Sequence, residues 1–362
     1  MRKNNLRQLD LSFLPSNLEK EVNLTIKRTL EGLEKIRWPI EAVVLGGGYK
    51  HKELTYNEKG IGSDIDLFVF SNFISFFWKK LKKIEKEIKK EATISFHYRG
   101  VIPLFLSKSR TFWAYKLKHE GIVLKGDENI LQRIRATEDN IPRIEGPRIL
   151  FQTLAVWLKL MEARIPAKKI TPYAILRSYL NIGESYLTFA GKLAPSYRER
   201  LNKIDEVAQE FNLERDLAEK IKLGYKMKIA PLEAEEHEFS LLQAKKDCLE
   251  AINHLLSIYL KTNASLEEKL DFLGKEIRPK YLFNLAFFYF LRNIQEIKPK
   301  FLPIVFRFKI IDLWKMSIYN EKGEKNKLFT LLNKYFKDYE FSDEVLVKIF
   351  EAHPSISTVE II

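Results

Sequence analysis

The sequence predicts an α+β fold in which a small mixed β-sheet comes first and α-helical domains follow. Three observations carry this expectation. Short apolar runs that read as buried strands, EAVVLGGG and IDLFVF, cluster before Pro142. Beyond Pro142 and Pro147 the apolar residues recur with the 3.6-residue helical period. The chain has 362 residues, more than one domain ordinarily holds, so two or three units around separate cores are expected. The texture divides into residues 1–140, a sheet-bearing domain with a leading helix; 141–262, a helical bundle; and 263–362, a mostly helical C-terminal domain.

In chain order, Leu18, Val22, Leu24, Ile26, Leu30 and Leu33 stand at near-helical spacing, and Trp38-Pro39 ends the pattern. The two apolar runs follow as strands, joined by a loop from Tyr49 to Ser63. From Ser71 to Glu91, Ile74, Phe77, Trp78, Leu81, Ile84 and Ile88 trace one face of an amphipathic helix. Seven lysines lie between Lys79 and Lys90; with Glu85, Glu87 and Glu91 among them they read as a solvated face, the alternative being a contact to nucleic acid. TISFHYRG alternates as a third strand with Thr93, Ser95 and His97 on one side, and GIVLKG reads as an edge strand. The segments 150–165, 172–191, 198–211 and 239–260 carry the helical period, and Ser265 with Glu268 forms a capping box for a further helix.

The 46% hydrophobic and 30% charged content describes an ordered globular chain, which excludes the disordered and fibrous classes. A single cysteine, Cys248, excludes an intramolecular disulfide framework and a cysteine-built zinc site. With a charged start that has no apolar leader, it gives a cytoplasmic expectation. The longest apolar runs are interrupted by Asn284 and Arg292, and by Arg307, Lys309 and Asp312, so no membrane span is expected. The formal charge of +13 attracts anions; it fits a nucleic-acid partner or an ion-pair-rich surface of the kind that supports heat stability.

The chemistry concentrates in residues 43–70. Side chains at i and i+2 of a strand share a side, so Asp64 and Asp66 present two carboxylates together while Ile65 and Leu67 enter the core. Paired carboxylates repel unless a cation sits between them. Magnesium, a hard ion that keeps phosphate oxygens in its shell, suits the pair, with manganese as a substitute. Gly46-Gly47-Gly48 removes side chains where backbone N–H groups can approach phosphate, with Gly47 and Gly48 as the candidate contacts and Ser63 beside them.

This order of strand, glycine turn, loop, DxD and strand resembles the DNA polymerase beta nucleotidyltransferase superfamily over residues 40–70. YKHKEL departs from that family's turn: Glu53 matches, while His51 stands where arginine is usual and Lys52 where glycine is usual. Residues 112–131 and 173–200 are similar to bacterial and archaeal nucleotidyltransferase-domain proteins with an appended helical domain. By that likeness Arg177 falls near a basic position that reaches a triphosphate. The resemblance implies metal-dependent transfer of a nucleoside monophosphate from an NTP to a hydroxyl on a small molecule, RNA or protein. It also implies a third carboxylate on a neighbouring strand, and TISFHYRG has no acid. His97 occupies that face and is the expected base, since imidazole accepts protons near neutral pH; Glu53 and Glu91 are the nearby acids that could substitute. The alternatives are a catalytically degenerate nucleotide- or RNA-binding relative, and a nucleic-acid module without nucleotide chemistry.

Overall fold

The computed structural model describes residues 9–54, 56–57, 60–61, 65–92, 94, 96–162, 172–229 and 240–276, with 315, 319, 326–327 and 330–331. The fold is α+β. The leading helix α1 (Ser16–Glu34) buries Leu18, Val22, Ile26, Leu30 and Leu33 and stops before Trp38, whereas Leu24, expected on the same face, turns out to solvent. Strands β1 (Ala42–Leu45), β4 (Ile65–Phe70), β5 (Phe96–Val101) and β6 (Ile122–Gly126) form one sheet in the order β5-β4-β1-β6. β1 runs antiparallel to β4 and β6, whereas β4 and β5 are parallel. Their crossover is α2 (Ile74–Ile88), the connection a parallel pair requires. GIVLKG is the edge strand that its sequence suggests. The expected loop after Tyr49 holds more: one helical turn over Gly48–His51 and a small hairpin of β2 (Tyr56–Asn57) and β3 (Gly60–Ile61).

Alternation in the strands sorts side chains onto the two faces of the sheet. Val43, Leu45, Ile65, Leu67, Val69, Phe96 and Tyr98 pack with α1 and α2 into one core. Ala42, Val44, Phe70 and Val101 face the other way and join a core continuous with the helices that follow. These are α3 (Pro103–Leu106), α4 (Phe112–Glu120), α5 (Glu145–Glu162), α6 (Pro172–Ala190), α7 (Tyr197–Asn202), α8 (Ile204–Glu210), α9 (Arg215–Ile229), α10 (Leu241–Leu260) and α11 (Leu266–Glu276). The sheet is thus a shared wall, with helices α1 and α2 behind it and the helical part of the chain in front. The expected capping box is present at α11: Ser265 N and Oγ donate to Glu268 Oε2, and Glu268 N donates to Ser265 Oγ. Most of 263–362 lies outside the described residues. Among those described, no helix is long and apolar enough to cross a membrane.

One buried carboxylate ties the edge strand to its helix. Glu85 of α2 accepts from the backbone N of Tyr98 at 3.2 Å and from the ammonium groups of Lys82 and Lys89, each at 2.7 Å. It thereby covers one exposed N–H of a sheet edge. Burial alone would raise the Glu85 carboxyl. Hydrogen bonds from His97, Lys82 and Lys89 outweigh burial and hold it well below the usual carboxylate range. A depressed folded value means that the stabilisation is complete above the ordinary value of 4.5 and is lost as pH falls below it. Glu85→Gln is therefore expected to cost about 2 kcal/mol at neutral pH, with the gap to the parent closing in acid. Urea denaturation at pH 7 and pH 3 checks this; a gap that does not change with pH would refute it.

Candidate functional site

A cleft opens where the sheet meets the helices, and its rim is the glycine turn. Gly46 N donates to Asp66 O at 2.9 Å, which sets the turn directly beside Asp66, about 4.8 Å away across neighbouring strands. Gly47 takes φ 87° and ψ −167°, a conformation essentially restricted to glycine, and a Cβ built on it would point into open space. At Gly48 the constraint is contact: an added Cβ would lie 1.8 Å from Glu53 O. Lys52, where the resembled family has glycine, adopts the left-handed conformation that glycine would favour, φ 59°.

Gly46, Gly47, Gly48 and Asp66 line the cleft from the sheet side, and Arg177 of α6 and Lys228 of α9 line it from the helices. Four of the residues singled out in the sequence, Gly47, Gly48, Asp66 and Arg177, thus meet in one place. Ser63 and Asp64 lie outside the described residues. His97 is the register partner of Asp66 on β5, but it is not part of the cleft lining. Its Nδ1 lies 3.3 Å from Glu85 Oε1 and 3.1 Å from Lys89 Nζ, at the outer edge of the sheet.

The side chain that meets Asp66 from β5 is Arg99, whose Nε donates to Asp66 Oδ1 at 3.1 Å. A cation therefore stands on the strand from which the resembled enzymes supply their third carboxylate. The strand period reveals it. His97 and Arg99 are two residues apart, so any reading that puts His97 on the Asp66 side puts Arg99 there too.

Glu53 is not available as a substitute acid. It is buried, and both its oxygens cap α7, accepting from Tyr197 N at 2.7 Å and Arg198 N at 3.0 Å. Glu91 stands at the far end of α2, 3.7 Å from Arg28.

The floor of the cleft is a buried ionic cluster that the sequence did not disclose. Arg200, fully buried, donates to Glu184 at 2.9 Å, Glu120 at 2.7 Å and Ala194 O at 2.6 Å. Lys116 donates to Glu184 at 3.1 Å and to the Tyr197 hydroxyl at 2.9 Å. Burial works against the Lys116 ammonium, yet Glu120 and Glu184 outweigh it and hold its pKa above the ordinary lysine value. Two cations and two carboxylates balance here, so the acids of the floor are already committed. Trp113, Leu117, Phe68 and Leu180 add apolar surface beside them.

No cluster of three or more acidic, histidine or cysteine ligands occurs among the described residues. Magnesium does not demand one. It keeps several waters and is commonly bound through one or two carboxylates plus substrate phosphates. Asp66, with Oδ1 held by Arg99 and its other oxygen carrying no hydrogen bond among the described residues, fits an ion that arrives already bound to a nucleotide. No family model, curated protein or solved structure matches the chain.

Proposed function

We propose that this protein binds a magnesium-bound nucleoside triphosphate in the cleft and transfers its nucleoside monophosphate to a hydroxyl acceptor, the bond between the α- and β-phosphates breaking as the acceptor oxygen bonds to the α-phosphorus, with pyrophosphate leaving and the hydroxyl proton passing to solvent. The observation that carries the reading is the meeting of the glycine turn and Asp66 with Arg177 and Lys228 in one cleft. Gly47 and Gly48 leave backbone room for phosphate oxygens; Arg177 and Lys228 bring positive charge; Trp113 and Phe68 offer flat faces suited to a base. Asp66, with Asp64 two residues before it, would hold the ion, which neutralises phosphate charge and aligns the leaving group when bound. Arg99 keeps the Asp66 carboxylate compensated until the nucleotide arrives. Positioning and charge neutralisation do most of the work in such transfers, so fixed walls suit the task.

The test is incubation with radiolabelled NTPs and a mixture of sugars, aminoglycosides, tRNA and protein, with and without magnesium. Magnesium-dependent movement of label onto one acceptor supports the proposal. Tight nucleotide binding without turnover supports the second reading, a catalytically degenerate binder, which the Arg99–Asp66 ion pair favours. Two further outcomes follow from the geometry. Arg177→Gln and Lys228→Gln are each expected to weaken NTP binding about tenfold, one charge-assisted hydrogen bond apiece, as calorimetry would measure. If neither changes affinity, the phosphates do not lie in this cleft.

A further inference from the structure

Away from the cleft, three large aromatic side chains stand in solvent at the start of α2. Trp38, Phe73 and Phe76 are 43%, 43% and 62% exposed, which is uncommon for rings of this size. Trp38 stacks on both phenylalanines, with ring centroids 5.8 Å and 5.2 Å apart and planes inclined by 29° and 16°. From Phe76 a basic stripe runs down the same helix. At the helical rotation of about 100° per residue, Phe76, Lys80, Lys83 and Glu87 share one line, flanked by Lys79 and Lys86; Lys90 follows in the turn just past the helix end, and all seven are exposed. Lys82 and Lys89 are instead turned to Glu85. Among the described residues Lys79, Lys83, Lys86 and Lys90 enter no ion pair, and Lys80 donates to the Lys35 carbonyl at 2.6 Å.

The solvated-face expectation accounts for the lysines but not for the rings. A protein-docking patch would account for the rings, yet such interfaces are depleted in lysine. A single nucleic-acid strand uses both, because bases stack on aromatic faces while lysines track the phosphates. We propose that the exposed face of α2, together with Trp38, binds single-stranded RNA. RNA is the nucleic acid whose loops and ends present unstacked bases to aromatic side chains. The helix has 15 residues, so the stripe extends roughly 22 Å. This surface is independent of the nucleotide chemistry proposed for the cleft.

The experiment is fluorescence anisotropy of the full chain with a labelled oligoadenylate RNA of about a dozen nucleotides, within the usual site size of such surfaces. Trp38→Ala and Phe76→Ala are each expected to raise the Kd about tenfold, one stacked base apiece. Neither side chain belongs to the buried core, and an unchanged melting curve will verify that the fold persists. Replacing Lys80 and Lys83 together with glutamine should lower the slope of log affinity against log salt by about 1.4, roughly 0.7 for each phosphate left without its lysine. The proposal is overturned if the aromatic variants bind RNA like the parent, or if an RNA duplex or a DNA strand of the same sequence binds as tightly. It is equally overturned if sedimentation finds self-association that Phe76→Ser abolishes while RNA affinity stays constant.

Discussion

Asp66→Asn is expected to remove magnesium-dependent nucleotide transfer while leaving the protein folded. Metal stabilisation of phosphoryl charge is worth several kcal/mol, so the rate should fall on the order of a thousandfold, and magnesium should no longer enhance NTP affinity. Stability should change by less than about 1 kcal/mol, because the broken ion pair is partly exposed, with side-chain exposures of 33% for Asp66 and 26% for Arg99. Activity abolished at constant stability is the signature of a ligand rather than a scaffold residue. Calorimetry with magnesium and ATP, label transfer and thermal melts together would measure it. If Asp66→Asn binds and turns over nucleotide like the parent, the site is misassigned. If Arg99→Ala abolishes nucleotide binding while Asp66→Asn does not, the guanidinium is the phosphate ligand and the degenerate-binder reading replaces the enzyme.

The second large effect concerns the floor of the cleft. Arg200→Met is expected to destabilise the protein by about 3–5 kcal/mol, the cost of stranding a buried carboxylate without its partner. Glu120 and Glu184 would be left with Lys116 alone, 4.0 Å and 3.1 Å away. Adding Glu120→Gln to Arg200→Met should recover part of that stability, because the two residues are in direct contact and their effects do not add. Chemical denaturation of the two single variants and the double variant tests this. Strict additivity would mean that the cluster is not acting as one unit.

The sheet and the glycine turn are legible in the sequence because their signals are local: a short apolar run, three adjacent glycines, an alternation of two. The same alternation places a residue of β5 beside Asp66, although the choice of His97 passes over Arg99 two positions on. Other parts are hidden for physical reasons. Helix α4 buries Phe112, Ala114, Tyr115, Lys116, Leu117 and Glu120, side chains on all sides, so no apolar stripe marks it. Helix α9 buries Ile221, Tyr225 and Met227, but Ala218 and Gly224 share that face, and these small residues dilute its hydrophobic signal. The segment 198–211 reads as one helix but divides at Lys203 into α7 and α8. The ionic floor is closed by the pairs Lys116–Glu184, Lys116–Tyr197 and Arg200–Glu120, 68 to 81 residues apart, and no pattern within a sequence window reports pairs at that separation.

The stapling of the two cleft walls has a consequence for motion. Glu53 leaves the loop after the glycine turn to cap the start of α7, while Glu120 of α4 grips Arg200 in the last turn of the same helix. Both links lie beneath the cleft, where a hinge would have to bend. The walls therefore cannot part like jaws without breaking buried charge-assisted hydrogen bonds. Such a site selects its ligand by a shape that exists before the ligand arrives, and loses little ordering entropy on binding.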